Sequence, residues 1–349
     1  MERHRKLRII FGLICPFLFL LLLAAVCLYF RTRWIIRRRR SYGSSLEMGG
    51  FHFKEAEELV VFAGGEHLRI QDILDAPGEV VGKSTYGTLY KAGIAGDEIG
   101  DGCVAIMLLR FIRPVCIGRS RDILPVIREM GCVRNPNLVP LRALYVGPKG
   151  EKLFVHPFYS AGNLAQFLKG KRTEDRWDII HKISLGIARG LNHLHNGLQK
   201  PLIHGNLKSK NVLLDASFQP QLSDFGLHLL LSPAAAQEML EALAAQGYKA
   251  PELIKMKDAT EQTDIYSFGI VLLEMITRME AASCRILAID CKFWDEFSSD
   301  LINGGKEKKS CSEEIMKMYE LAMACCSSSP ALRPDIKLII RKLEVIGVQ

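Results

Sequence analysis

Apolar residues change their spacing once along this chain, and that change limits the fold more than any other feature. Between residues 79 and 107 they come in short runs rich in β-branched residues: Glu79-Val80-Val81-Gly82, Thr88-Leu89-Tyr90-Lys91 and Val104-Ala105-Ile106-Met107. Runs of this kind predict strands. Downstream, Trp177, Ile180, Ile183, Ile187, Leu191 and Leu194 recur every three or four residues, which marks one face of an amphipathic helix. Strands first and helices after predict an α+β body of two lobes, a small β-rich lobe over about 70–158 and a larger helical one over about 159–345. No internal repeat is present, and in particular no leucine-rich array.

The charge is unevenly placed. Residues 1–40 hold ten Lys and Arg against Glu2 alone, a balance of +9, while the whole chain of 349 residues carries +8. The main body therefore has almost no net charge, and a nucleic-acid partner has no support from it. Between Arg8 and Arg31 lies an uncharged run, Ile9 to Phe30, long enough as a helix (roughly 33 Å) to match a bilayer core of about 30 Å. It ends on Tyr29-Phe30 and a basic cluster instead of the small-residue site of a cleaved signal. The expectation is a short extracytosolic tail (1–8), one transmembrane helix (9–30), a basic juxtamembrane linker (31–69) and a cytosolic body (70–345). Arg37, Arg38, Arg39 and Arg40 are expected to lie against anionic headgroups. The ten cysteines include no C-x-x-C pair, as suits reduced thiols and no metal cluster.

Within the body a set of motifs falls in a definite order. Gly82-Lys83-Ser84-Thr85-Tyr86-Gly87 forms a Gly-rich loop lacking its middle glycine. His204-Gly205-Asn206-Leu207-Lys208-Ser209-Lys210-Asn211 is followed by Asp224-Phe225-Gly226, then by Ala250-Pro251-Glu252, Asp264 to Gly269 and Arg333-Pro334. Singly each is weak, but the order is that of a protein kinase. The stretch from about 70 to 345 resembles the plant leucine-rich-repeat receptor-like kinases, and most closely their atypical transmembrane, kinase-like members without the repeat ectodomain.

That resemblance implies ATP and magnesium as cofactors, held by Gly82, Lys83, Ser84, Gly87 and Ala105, with Asn211 and Asp224 on the metal and Lys208 beside the transferred phosphate. Residue by residue, it also exposes losses. Asn206 stands where the family's aspartate accepts the substrate proton; an amide matches the shape of a carboxylate but has no useful basicity. Counting along the strand motif places the phosphate-pairing lysine at Met107, whose thioether cannot donate. Arg110 leaves the face that Ala105 and Met107 share, so Lys83 is the better substitute cation. The helix glutamate that should pair the lysine falls at Val126, with Glu129 three residues out of register.

The segment from Asp224 to Glu252 has only Ser232 and Tyr248 as hydroxyl residues, and Gly205 replaces the arginine that would receive a phosphate there. Its middle, Ala234 to Gln246, is rich in good helix formers, so a fixed helix is expected in place of a switch. The function expected is a membrane-anchored pseudokinase that regulates other signalling proteins, including active receptor-like kinases. A weakly active serine/threonine kinase and a truncated decoy receptor are the alternatives.

Overall fold

The computed structural model describes residues 57–95, 104–118, 120–170, 176–287 and 305–346. The expected membrane span at 9–30 and Arg37 to Arg40 lie outside these. Among the described residues no helix is long and apolar enough to cross a membrane.

The small lobe is built on one antiparallel sheet. Its strands are β1 (Glu58–Val61), β2 (Gly78–Lys83), β3 (Gly87–Ala95), β4 (Val104–Ile112), β5 (Ala143–Val146) and β6 (Lys152–Pro157), in the spatial order β1-β5-β6-β4-β3-β2. The folded body starts earlier than residue 70, because β1 pairs with β5 from Glu58 opposite Val146 to Val61 opposite Ala143. The end of the stretch expected to be linker is thus an edge strand. β2 and β3 form a hairpin closed by Ser84, whose hydroxyl donates to the Gly87 carbonyl at 3.1 Å. A side chain at Gly87 would place its Cβ 2.1 Å from the Phe111 carbonyl oxygen, so only glycine lets β3 pass β4 there.

Alternation along β4 divides its side chains between two environments. Ala105, Met107 and Leu109 pack with Leu68, Ile73, Ala92 and Ile94 on one face of the sheet. Arg110 and Ile112 lie on the other, where Phe154 of β6 sits opposite Arg110 and belongs with Ile112 to the main core. Helices α1 (Ile70–Asp75) and α2 (Ser120–Cys132) complete this lobe. On α2, Ile123 and Ile127 are buried while Val126 and Met130 pack half-buried against the main core, the three-and-four spacing of a single helix face.

The larger lobe is helical: α3 (Leu164–Lys169), α4 (Arg176–Asn196), α5 (Pro233–Gln246), α6 (Glu261–Thr277), α7 (Ala281–Leu287), α8 (Gly305–Cys325) and α9 (Ile336–Ile346), with a small hairpin of β7 (Val212–Leu214) and β8 (Pro220–Leu222). The face read from the sequence of α4 is its buried one: Ile183, Ile187, Leu191 and Leu194 are fully enclosed. α6 runs through the centre of the lobe, buried from Thr263 to Met275. Arg333 closes the lower end, donating to both carboxylate oxygens of Glu252 at 2.6 and 2.8 Å and to the Gln262 carbonyl. α5 forms where the alanine-rich stretch predicts it, opening on Ser232 as N-cap and ending on Gly247 in the left-handed conformation.

Candidate active site

The loop from His204 to Asn211 is hung from α6. The Asp264 carboxylate accepts from the backbone N–H of His204 at 2.7 Å, from that of Gly205 at 2.9 Å and from His195 Nε2 at 2.9 Å. Burial opposes ionisation of Asp264, but the His195 contact and the Gly205 amide overcome it and hold the carboxyl below the usual range. His204 itself is enclosed; burial keeps its ring neutral, and its Nε2 has no hydrogen-bond partner among the described residues.

Gly205 adopts φ +69°, and a Cβ there would meet His228 Nδ1 at 2.4 Å. The ring of His228 thus fills the space that a side chain at 205 would need. Burial drives the His228 pKa down to about 4, so the occupying group is neutral. The arginine missing from this motif has been replaced by packing, and a phosphate sensor cannot be restored without moving His228.

Asn206 is 1 % exposed, and among the described residues its amide has no well-formed hydrogen bond, only the Tyr86 hydroxyl beside it. Its main-chain carbonyl accepts from Asn211 Nδ2 at 2.8 Å, and the Asn211 main-chain carbonyl accepts from the Ser223 N–H at 2.9 Å. Asn211 therefore braces the loop against the strand that leads to Asp224. Asp224 sits at φ +64°, a left-handed conformation that short polar side chains tolerate at a cost of about 1–2 kcal/mol. Its carboxylate meets Arg110 at 2.7 Å. Burial pulls the Lys208 ammonium down and Asp224 raises it again, so a second cation faces the same carboxylate.

Met107 and Ala105 are not on the Asp224 side of the sheet. They belong to the opposite face, and the cation that β4 brings to Asp224 is Arg110. The alternation along β4 holds, but the face toward Asp224 is the one that carries Arg110: which side looks toward the larger lobe is fixed by pairing with Phe154 on β6, which local spacing cannot reveal. Lys83, the expected substitute, lies exposed at the end of β2. No carboxylate stands in for the helix glutamate on the inner face of α2, where Val126 packs against the core and Glu129 is exposed. Arg110 Nε is buried without a partner.

The Gly-rich loop contributes a residue that counting glycines overlooked. Tyr86 is only 6 % exposed and belongs to the main core. Burial raises its phenol pKa, and the charge of Asp224 adds to this, with the hydroxyl lying beside Ser84 and Asn206. An aromatic at the tip of a glycine-flanked turn was the available signal. Asn211 and Asp224 carry the oxygen donors a divalent cation takes, but Arg110 engages the Asp224 carboxylate, so a metal there would compete with its guanidinium.

Residues 77–343 match the family described as protein tyrosine and serine/threonine kinase. The chain belongs to that kinase family. Similar proteins include receptor-like and kinase-like proteins of Arabidopsis thaliana. The chain is 38 % identical to the kinase-like protein TMKL1, covering 82 % of this chain and 44 % of that one. It is 35 % identical to IMK3, named a probable leucine-rich repeat receptor-like protein kinase, over 86 % of this chain and 38 % of the relative. It is 33 % identical to RLK902, named a probable inactive receptor kinase, over 82 % and 45 %. The chain thus spans less than half the length of each of these relatives. Among solved structures, the kinase domain of maize sucrose-induced receptor kinase 1 bound to AMP-PNP superposes with a TM-score of 0.66 at 24 % identity, over 83 % of this chain and all of that one. The pseudokinase domain of BIR2, an immune regulator of the RLK/Pelle family, gives 0.63 at 26 %, over 84 % and 91 %. The two-lobed architecture is therefore the bilobal protein-kinase fold.

Proposed function

We propose that this chain is a receptor-like pseudokinase: a kinase fold, held at a membrane by residues 9–30 and the basic cluster that follows, which regulates other signalling proteins by shape with little or no phosphotransfer. One observation carries the reading. The position of the catalytic base is a buried amide, and the neighbouring carboxylate needed for a metal ion is already paired to Arg110. Loss of a general base alone costs about 10²–10⁴ in rate. Engagement of the metal carboxylate by Arg110 competes with the metal ion whose charge phosphoryl transfer depends on. Relatives named as inactive kinases and a fold shared with a pseudokinase domain support the same reading.

A scaffold of this kind acts through its fixed surfaces, and α5, placed where an activation segment would switch, is such a surface. The partners proposed are other membrane-proximal signalling proteins, active receptor-like kinases among them. The test is thermal-shift titration of the full chain in detergent with ATP, with and without magnesium, followed by an autophosphorylation assay with radiolabelled ATP. Absence of label supports the proposal. A magnesium-dependent shift with robust labelling would establish the alternative, a slow serine/threonine kinase.

A further inference from the structure

Three segments far apart in sequence meet at the mouth of the cleft. The first is the tip of the Gly-rich loop, Thr85-Tyr86. The second is the connector from β4 to α2, residues 113–118. The third is residues 230–232, which lead from the Asp224 motif into α5. The Arg113 N–H donates to the Tyr86 carbonyl at 3.0 Å, and Cys116 Sγ lies 4.0 Å from the Thr85 carbonyl. The Gly118 N–H donates to the Leu230 carbonyl and the Ser232 N–H to the Cys116 carbonyl, both at 2.8 Å, around an antiparallel bridge between Ile117 and Leu231. Cys116, Ile117, Leu230 and Leu231 are all buried.

We propose that the cleft is latched shut by the chain itself: Tyr86 plugs the space beside Asn206 and Asp224, and the strap joining 113–118 to 230–232 holds it there. The inference rests on reading this cleft as a degenerate kinase site, and it names how that site is regulated. Two features make the latch a unit. The connector is the only one of the three segments bonded to both others, so releasing it from Leu230 and Ser232 frees the backbone that holds Tyr86. The plug also stands on the carboxylate side of the cleft, where Arg110 and Lys208 together outweigh the single charge of Asp224 and supply the positive charge that a nucleotide's phosphates would seek. Nucleotide entry therefore requires Tyr86 to leave, while the residual cation remains to receive a polyphosphate without metal.

The test uses the full chain in detergent. Amide exchange should show Arg113, Gly118 and Ser232 protected to the level of the core strands; exchange at the rate of an exposed loop would overturn the latch. A ribose-labelled fluorescent ATP analogue, without metal, should bind Tyr86→Ala at least tenfold more tightly than the wild type. Equal affinities, including none for either, would overturn it as well. Ser232→Pro is the second variant. Ser232 has φ −63°, which proline adopts freely, so the change keeps the local backbone while it removes the capping hydroxyl and sets a ring carbon against the Cys116 carbonyl in place of the N–H. It should speed exchange at Gly118 and Arg113 at least tenfold and raise analogue affinity in step with Tyr86→Ala; unchanged exchange would count against the proposal. Failure of the pseudokinase reading would show separately, as phosphotransfer by the wild type.

Discussion

Arg110 and Asp224 meet at 2.7 Å with their side chains only 14 % and 6 % exposed, a buried ion pair where a kinase holds a lysine and a metal ion. Desolvating both charges is costly, and their attraction repays it only while both are present. Arg110→Ala should therefore destabilise the protein by about 3–5 kcal/mol in urea unfolding, because it strands Asp224. The double variant Arg110→Met/Asp224→Leu should recover most of that loss. Additive losses in the double-mutant cycle would show that the two groups do not act as a pair.

Asn206 leads to a prediction opposite to the intuitive repair. Its amide is enclosed, and the Tyr86 hydroxyl beside it also feels the charge of Asp224. Asn206→Asp would bury a second carboxylate beside the first, so it should stay protonated or destabilise by about 1–3 kcal/mol, and restore no phosphotransfer. Asn206→Leu removes two polar atoms that make no well-formed hydrogen bond among the described residues and should leave the melting temperature nearly unchanged. Thermal unfolding of both variants with an autophosphorylation assay checks this, and activity in Asn206→Asp would mean that Asp224 is free to bind metal.

The sequence disclosed the parts of this molecule that depend on local spacing. The buried face of α4 follows from Ile183, Ile187, Leu191 and Leu194 recurring at helical intervals, and α5 follows from an alanine-rich run between Ser232 and Gly247. The two lobes follow from the change of period. What stayed hidden depends on contacts between distant residues. β1 is a short edge strand that exists because β5 pairs with it. β4 offers two frames, and only its pairing with Phe154 decides that Arg110 faces Asp224 while Met107 turns away. Tyr86 and His228 gain their roles from Asn206 and Gly205, across more than a hundred residues in the first case.

Met107 provides a direct check of that reassignment. Its side chain packs with Leu68, Ile73 and Ala92 on the face of the sheet away from Asp224. Met107→Lys should create no nucleotide site and should destabilise by a few kcal/mol, since the ammonium has no partner in that apolar cluster. Met107→Leu, close in volume, should cost under about 1.5 kcal/mol. Labelled-ATP binding gained by the lysine variant would return the phosphate-pairing position to Met107.

Gly205 and His228 form an interlocked pair whose disruption should be asymmetric. Gly205→Ala introduces a Cβ 2.4 Å from His228 Nδ1 at a φ of +69°, so strain and clash act together. A loss of at least 2 kcal/mol is expected, of which about 1–2 kcal/mol belongs to the left-handed backbone. Adding His228→Gly removes the clash and leaves the backbone cost, so the double variant should be more stable than the sum of the singles. Strict additivity would mean that His228 does not fill the space above Gly205.

Buried titratable groups give the stability a shaped pH dependence. Burial raises Glu274 to about 7 even though Tyr248 and Ser209 donate to it at 2.7 and 3.2 Å. A carboxyl whose folded pKa lies above its unfolded value of 4.5 holds its proton more tightly in the native state. Its stabilisation is complete below 4.5 and is lost as pH rises to about 7. Burial lowers His156 and His228 to about 4, so their contribution is present above 6.5 and is lost as pH falls toward 4. Between 4.5 and 6.5 the two histidines outweigh the single carboxyl, and because an unfolded histidine is still half protonated at 6.5 they go on offsetting Glu274 up to about pH 7. Stability should therefore climb through the acid range and flatten near pH 7, where the descending arm set by Glu274 cancels the gain from the histidines. Glu274→Gln removes the descending arm: relative to this variant, the wild type should lose on the order of 3 kcal/mol between pH 4.5 and 7. Urea unfolding of both proteins across that range reads the difference directly, and a constant gap would show that Glu274 is ionised throughout.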